Sequence, residues 1–524
     1  MKKIIALVTP PSISHRTAEE NLGIKYIASI LISNNFKVKL IDGWLEGYSN
    51  ETIVKKLTDK HICAVGFSSY LTSLEDVRYI IHRLKLINPN IKIFAGGFGP
   101  TFNPKEFLDA SIDYIIFGEA ESIINTFVNG ILENCDENYF LKIPGIGFYL
   151  NNNYIETSKP IAVNDLDKLE FPFRLNNKRN SKLSNPIQLS TSRGCTAFCN
   201  FCSIASFSKL MTNYTDSKWR GRSVKNVVDE IEILNNRFNV QTFKFVDDSF
   251  IDYYRGEEWA YQFKEELFSR GLSIRFRTQV RADRITNNIA KCLSSAGWFA
   301  TSIGIESGSN TVLKRMKKRA NIDDNQNAIN ILEKNNIYVV MNMILFDDKT
   351  SLFELRETLN FLKSNKWPIT KGIYSEMFAS EGTVFTSNLK YKLLGVDSRT
   401  KKFMNYSYST ESFDVQLIRE AVRGWQLEYD ELYNCAINPI AAPKVISNDG
   451  YKEFHQISRE LYEMDLVFFE NVLDNYNKLN LLWLLEDNLL KTKDFRLNIK
   501  LRLNRLYKKY NLIKSKTKNK FIQL

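Results

Sequence analysis

From Ile4 to about residue 130, short β-branched runs alternate with longer amphipathic ones. IIALV is followed by LGIKYIASIL, then by KVKLID, ICAVGFSS, VRYIIHRLKLI, IKIFAGG and DYIIFGE. The short apolar runs predict buried strands, and the longer stretches between them, with apolar residues three and four apart, predict helices packed on a sheet. Strand and helix in alternation imply a parallel sheet covered on both faces. Ligands of such sheets bind beyond the carboxyl ends of the strands. The residues expected there are Pro10 and Pro11 after the first strand, Ser68 and Ser69 after the third, Gly96 and Gly97 after the fourth, and Gly118 and Glu119 after the fifth. Mostly small side chains at successive strand ends leave room for something large and flat.

Residues 131 to 185 change character. GIGFYLNNNYIE carries a short hairpin signal, and RLNNKRNSKLSNP is predominantly polar, as a linker would be. A second alternation begins at IQLSTSRG and continues through TFKFVDD, SIRFRTQVRAD, FATSIGIES, YVVMNMILF and GIYSEMFAS, six strand-helix units that fit a partial or full parallel barrel. Beyond about residue 390 the pattern is mostly helical, as in YKEFHQISRELYEMDLVFFENVLDNY, and carries no catalytic motif. Position alone places this region over the barrel mouth, while Trp425, Tyr429 and Tyr433, at helical spacing, read as core packing. The expected divisions are a first α/β domain over 1–135, a linker over 136–185, a barrel over 186–390 and a helical region over 391–524.

A chain of 524 residues exceeds what one core usually organises, and 44% hydrophobic with 25% charged residues is a globular composition. The opening MKKIIALVTPP resembles a leader only superficially, because Thr9, Pro10 and Pro11 end its apolar run early. No run of about eighteen apolar residues occurs, so neither a membrane span nor a membrane partner is expected. Seven cysteines, three of them within eight residues, do not make a disulfide framework, which points to a reducing cytoplasm. A net charge of +12 raises the question of nucleic acid, but much of the excess lies in KLRLNRLYKKYNLIKSKTKNK rather than on a reading module. A solvated basic tail is the simpler reading, and nucleic acid is not an expected partner.

The three grouped cysteines are Cys195, Cys199 and Cys202 in RGCTAFCNFC, which follows the first strand of the second alternation. Thiolates are natural ligands of iron-sulfur clusters, and three of them on a four-iron cubane leave one iron open. An open iron can chelate the amino and carboxylate groups of a small molecule. Zinc is the alternative. It calls for a fourth Cys or His at a usual spacing, and His15, His61, His82 and His455 all lie far off in sequence.

CTAFCNFC, with Phe201 ahead of its last cysteine, matches the C-x3-C-x2-C signature, and the chain resembles the radical S-adenosylmethionine superfamily. VDDSF at Val246–Phe250 and GIESGSNTVLKRMKK from Gly304 resemble segments of its cobalamin-binding branch, as do GFSSYLTS, AGGFGPTFNP and DYIIFGEAE near the N-terminus. The resemblance spans about residues 1 to 390. It implies an α/β architecture made of a Rossmann-like cobalamin-binding domain, a parallel (βα) radical barrel and a mostly helical C-terminal region. The implied cofactors are a 4Fe-4S cluster on Cys195, Cys199 and Cys202, S-adenosylmethionine and cobalamin. The cluster would pass one electron to S-adenosylmethionine and release a 5'-deoxyadenosyl radical that abstracts a substrate hydrogen, the protein supplying position and exclusion of water and oxygen. Glu306 and Ser307 would contact S-adenosylmethionine, with Asp247, Asp248 and Arg281 near the same cofactor or the substrate. A barrel-interior ion pair with Arg281 is the plainer role for Glu306. Ser68, Ser69, Gly96, Gly97, Gly118 and Glu119 would contact cobalamin, although each glycine alone could serve a turn. An electron donor such as flavodoxin or ferredoxin is implied as well.

No G-x-G-x-x-G follows the first strand, which disfavours a dinucleotide. Many cobalamin domains carry D-x-H-x-x-G in that place. Taking Gly23 as the closing glycine puts Glu20 at the histidine position and Ala18 at the aspartate position, whereas DGWLEG at Asp42–Gly47 follows the second strand and has Trp44 at its centre. No histidine below the cobalt is therefore expected, and His15 is the rival in that loop. The implied activity is C-methylation of an unactivated carbon in a peptide or small-molecule natural product. Ring contraction, cyclisation or another rearrangement without methyl transfer uses the same cofactors and stays open. A tRNA methylthiotransferase would need three further cluster cysteines ahead of the barrel, where only Cys63 and Cys135 stand. A non-catalytic cobalamin carrier would leave the cysteine loop without a role.

Overall fold

IIALVT forms β1 (Ile4–Thr9), a strand buried on both faces of a seven-stranded sheet. The pleat sorts its side chains. Ile5 and Leu7 join Ala28, Leu31, Phe127 and Val128 on one side, while Ala6 and Val8 join Ile53, Val77, Ile80 and Ile81 on the other. β2 (Lys37–Asp42), β3 (Ile62–Ser68), β4 (Lys92–Gly96) and β5 (Tyr114–Ile116) are the other parallel strands, in the order β2-β1-β3-β4-β5. The computed structural model describes residues 3–11, 20–174, 186–211, 219–380, 382–390, 393–396, 403–477 and 480–512.

The hairpin that falls in the expected linker belongs to this sheet. β6 (Ile146–Leu150) pairs antiparallel with β5, and β7 (Asn153–Glu156) pairs with β6. Asn151 and Asn152 turn between them in the left-handed region, at φ 50° and 62°. The first unit thus continues past residue 135, because the free edge of β5 offers unpaired backbone groups that the hairpin satisfies.

The second sheet holds five parallel strands, β8 (Ile187–Leu189), β11 (Thr242–Phe245), β12 (Arg275–Arg281), β13 (Trp298–Glu306) and β14 (Tyr338–Met343), in the order β14-β13-β12-β11-β8. Between the first two in sequence, β9 (Ser192–Gly194) and β10 (Trp219–Gly221) form a short antiparallel ribbon beside the cysteine loop. A sixth segment joins β14 through parallel bridges at Val340–Ile369 and Phe346–Glu376, so GIYSEMFAS takes its expected place without a regular ladder. The result is a partial barrel. Phe243, Phe245, Phe276, Val280, Ile303 and Ile305 face outward into one continuous core with the surrounding helices.

The C-terminal helices do not lie over the barrel mouth as position alone suggested. The helix Phe413–Ala441 runs along the sixth segment: Arg419 pairs with Glu376, the Gln426 amide donates to the Lys371 carbonyl at 2.9 Å, and Ile437 and Ile440 pack with Ala300, Val340 and Ile369. It therefore closes the open side and the floor of the barrel, where uncovered apolar surface would otherwise meet water. Trp425, Tyr429 and Tyr433 are core, with the Trp425 ring 4.2 Å from that of Phe468 and 4.5 Å from that of Tyr429. The Trp425 indole and the Tyr433 hydroxyl both donate to the buried carboxylate of Asp465. β15 (Leu393–Val396) and β16 (Phe403–Ser407) form a hairpin that reaches Leu71–Ser73 of the first domain. Among the described residues no helix is long and apolar enough to cross a membrane.

A buried ionic chain ties the first domain to the first barrel strand. Glu20 accepts from Arg174 and Lys25 at 2.5 Å each and from the Gln188 N–H at 3.1 Å; Arg174 donates on to Glu230 at 2.9 Å, which Arg222 also holds at 2.6 Å. Burial alone would raise the Glu20 carboxyl, but Arg174 and Lys25 outweigh it and hold the group at about 2 against an ordinary 4.5. Removing the shared cation should be severe: Arg174→Met should lower unfolding free energy by about 3–5 kcal/mol in a urea titration. The depressed Glu20 value sets the sign of the acid response. Its stabilisation is complete above pH 4.5 and is lost as the pH falls toward 2, so Glu20→Gln should flatten the stability profile in that window.

Candidate functional site

The loop that bears the cysteines is held by three carboxylates from the turn after β11. Asp247 accepts from the backbone N–H groups of Thr191 (2.6 Å) and Ser192 (3.1 Å) and from the Thr191 hydroxyl, with Arg255 3.7 Å away. Asp248 accepts from the Gly194 N–H at 2.9 Å, and Asp252 from the N–H and hydroxyl of Thr196. Asp247 and Asp248, expected beside the cofactor or the substrate, accept from the backbone of the cysteine loop, because the orphan donors of an irregular buried segment need acceptors. Burial and the neighbouring Asp247 charge raise the Asp248 carboxyl to about 6.

Cys195, Cys199 and Cys202 emerge from this support, each partly exposed. The Cys202 N–H donates to the Cys199 carbonyl at 3.2 Å, and Cys202 leads directly into the helix Ser203–Lys209. Burial pushes all three thiols up; the opposing positive influences are Arg281 at Cys195, Lys318 at Cys199, and the backbone N–H groups of Ile204 and Ala205 at Cys202. Each sulfur feels the charge of another, yet among the described residues no three His, Cys, Asp or Glu side chains come close enough to share one ion. Three thiolates on one short loop can ligate different irons of a cubane.

Across the loop, Glu306 ends β13 in the left-handed region at φ 63° and pairs with Lys318 at 2.7 Å. Arg281, named in the sequence reading as its plainer partner, is engaged elsewhere: it donates to Thr196 at 2.9 Å and to Asp283 at 2.6 Å, and stands 3.9 Å from the Cys195 sulfur. A Cβ on Gly304 would collide with both the Glu306 carboxylate and the Lys318 ammonium, so that glycine makes room for the pair. Ser307 is buried and bonded to Thr358 at 3.1 Å and to the Ser309 N–H. Asn200 ties the loop to the segment after β13, its side chain donating to the Arg315 carbonyl and its N–H to that of Met316. Phe201 packs against the cluster that contains Val312 and Met316.

On the first domain, Ser68, Gly96, Gly97 and Gly118 lie partly accessible at the carboxyl ends of β3, β4 and β5. Gly97, at φ 97°, packs against the Ser69 backbone, where a Cβ would stand 3.2 Å from the carbonyl oxygen. Ser69 itself is buried and shares its hydroxyl with Ser73 at 3.2 Å. Glu119 is buried as well, clamped by Arg220 at 2.7 and 2.9 Å and capped by the Val163 N–H at 2.8 Å, while Glu121 takes Arg193 at 2.6 Å. These pairs join the first domain to β9 and β10. An aromatic row completes the contact: Trp44 to Tyr70 at 5.9 Å, Tyr70 to Phe98 at 6.2 Å, and Phe98 to Phe207 at 4.9 Å between ring centres. Phe207 lies in the helix behind Cys202, so the small-residue rim and the cysteine loop face each other.

Of the histidines, His61 precedes β3 at the far end of the sheet, His82 lies exposed in the helix Leu74–Ile87, and His455 packs on Trp367 at 4.7 Å. His15 lies outside the described residues. Glu20, at the position where a ligand histidine would stand, is wholly engaged in the ionic chain. Lys318, Arg255, Asp252 and Phe207 were not singled out from sequence. The run KRMKK signals positive charge, but not which lysine turns inward.

Two family models match the chain, the B12 binding domain over residues 14–128 and the radical SAM superfamily over 189–362. An uncharacterized methyltransferase of Pyrococcus horikoshii is 26% identical over 374 residues, which cover 68% of this chain and 77% of the relative. An anaerobic magnesium-protoporphyrin IX monomethyl ester cyclase of Synechocystis is 25% identical over 348 residues, 64% of this chain and 67% of the relative. Among solved structures, the cobalamin-dependent S-adenosylmethionine radical enzyme OxsB with aqua-cobalamin bound superposes with a TM-score of 0.74 at 19% identity, covering 97% of this chain and 80% of that one. The shared fold includes the helical C-terminal region, given that coverage.

The Glu306–Lys318 pair offers a direct check. Lys318→Met should cost about 3–5 kcal/mol of stability by leaving a buried carboxylate without its cation. Adding Glu306→Gln to it should recover part of that loss, a coupling that chemical denaturation of the double-mutant cycle would measure.

Proposed function

We propose that this chain, which belongs to the cobalamin-dependent radical S-adenosylmethionine enzymes, methylates an unactivated carbon of a peptide or small-molecule natural product. The reading rests on one observation above the others: the cysteine loop and the rim of small residues meet through Phe207, Phe98 and Phe102, which puts the two half-sites face to face. Bound there, a 4Fe-4S cluster with S-adenosylmethionine supplies hydrogen abstraction, and cobalamin supplies the methyl group.

The chain's own residues divide the work. Cys195, Cys199 and Cys202 are the proposed cluster ligands, and Arg281 and Lys318 bring positive charge to the first two as thiolates. Glu306, oriented by Lys318, presents a carboxylate near Cys199 that can receive an amino group. Ser68, Gly96, Gly97 and Gly118 form the proposed cobalamin rim, and the Trp44–Tyr70–Phe98–Phe207 row keeps water from the space between. A cytoplasmic setting with a flavodoxin or ferredoxin as reductant follows from the same chemistry.

Rearrangement or cyclisation without methyl transfer is the second reading, favoured by the cyclase relative, whose 25% identity nearly equals the 26% of the methyltransferase relative. Anaerobic turnover of substrate-containing extract with methyl-labelled S-adenosylmethionine separates the two. A labelled product together with S-adenosylhomocysteine is the expected result, whereas 5'-deoxyadenosine with no methyl gain would establish the second reading. Cys199→Ala should abolish both products. The cob(II)alamin form should show no nitrogen superhyperfine splitting in its electron paramagnetic resonance spectrum; a splitting that disappeared in His15→Ala would assign that histidine to the cobalt.

A further inference from the structure

Inside the barrel the strands present a polar wall beneath the cysteine loop. On β12, Phe276 and Val280 belong to the outer core, so Arg277, Gln279 and Arg281 point inward. On β13 and β14 the outward set is Ile303, Ile305, Val339 and Met341, which leaves Ser302, Gly304 and Asn342 on the inner face. Register aligns these residues: Gln279 pairs with Ser302, Arg281 with Gly304, and Gly304 with Asn342. The upper row borders the site already described, since Arg281 stands near the Cys195 sulfur and Gly304 faces Glu306 and Lys318. The wall is closed lower down. Arg277 is buried and donates to the Ser302 hydroxyl, Lys244 is its partner in register on β11, and Val340 is sealed against Ile437 and Ile440.

Two side chains of this wall are unused. Gln279 is exposed although β12 is the middle strand of the sheet, and Asn342 is half-buried. The inner face of a small barrel is ordinarily filled by packed side chains, so an exposed glutamine there marks an open space. Among the described residues neither amide makes a side-chain hydrogen bond. Their neighbours are engaged: Arg281 with Thr196 and Asp283, and Glu306 with Lys318. Between the two amides β13 offers only the small Ser302 and Gly304, and the strands that carry them run about 10 Å apart, two sheet spacings. The result is a slot with a low floor and an amide on either side.

We propose that Gln279 and Asn342 hold the substrate by hydrogen bonds, and that the part of the substrate entering the barrel carries amide groups, as a peptide backbone does. The inference rests on the radical reading above and narrows its substrate class. Each side-chain amide offers two donors and an acceptor with no net charge, and another amide is its natural complement. Water can occupy these positions while the slot is empty. A substrate that excludes the water has to replace its hydrogen bonds, and a site built this way rejects an analogue that lacks them. A hydrocarbon skeleton would leave both amides unmatched. A phosphate or carboxylate would seek a cation, and at this level Arg281 and Lys318 are already paired with Asp283 and Glu306.

Anaerobic turnover across a dilution series of substrate-containing extract tests the proposal. The readout is 5'-deoxyadenosine formed above the extract-free rate, which counts substrate use whether or not a methyl group is transferred. The extract concentration that gives half saturation should rise about tenfold in Gln279→Leu and in Asn342→Leu. Gln279→Glu keeps the shape but loses the donors; it should shift saturation in the same direction, with an unchanged circular dichroism spectrum, which sets a folding defect apart. The product should show amide nitrogens on fragmentation in the mass spectrometer. Leucine variants that saturate at the wild-type concentration would overturn the proposal, as would a product without amide groups. So would a fall of extract-free cleavage by the same factor, which would give the two amides to S-adenosylmethionine. Wild-type cleavage indifferent to extract is a separate result, removing the radical reading itself and the proposal with it.

Discussion

Glu20 and Glu119 reach from the first domain to the barrel side of the molecule, Glu20 to Arg174 and the Gln188 backbone, Glu119 to Arg220 and the Val163 N–H, and both carboxylates are buried. Taking an ion out of water costs several kcal/mol, and only a full set of partners at close range offsets it. Such a contact tolerates little sliding, because a small displacement leaves a charge unpaired in a low-dielectric interior. The spacing between the small-residue rim and the cysteine loop is inherited from these pairs. Everything that requires both half-sites at once depends on that spacing.

Within the barrel the same principle acts at shorter range. Asp247, Asp248 and Asp252 lie in one turn and hold the backbone of a loop that has no regular ladder of its own, while Arg255 closes the arrangement by donating to the Thr191 carbonyl at 2.8 Å. Acidic residues beside a redox site invite a catalytic reading. Their surroundings argue for support, since Asp247 and Asp252 give both oxygens, and Asp248 one, to N–H and hydroxyl donors of the loop. The positive charges nearest the sulfurs are Arg281 and Lys318, which suit a centre built from thiolates.

The C-terminal helices serve the barrel from its side and floor rather than from its mouth. Helix Phe413–Ala441 replaces strand pairing where the sheet stops, with Ile437 and Ile440 filling the end of the barrel that Ala300 and Val340 leave open. The outward faces of the last two helices, with Leu490 and Leu497 exposed, take no part in that packing.

The hydrophobic period by itself determined the two parallel sheets, because alternation and strand length follow from local geometry, and the spacing of Cys195, Cys199 and Cys202 determined the character of the site, because ligands on one short loop are neighbours in any fold. The hairpin at Ile146–Glu156 was legible as a hairpin, but not as part of the first sheet, since an edge strand's partner is set by which edge lies open. Glu306 was legible as a charged strand end, but its partner was Lys318 and not Arg281. Glu119, Ser69, Asp247 and Ser307 sit where motifs put them, and each has protein partners that the sequence did not name. Strand register decides which residue reaches a strand end, whereas the direction of its side chain is decided by the buried donors and cations that come within bonding distance only when distant segments pack, and that information exists only in the tertiary structure.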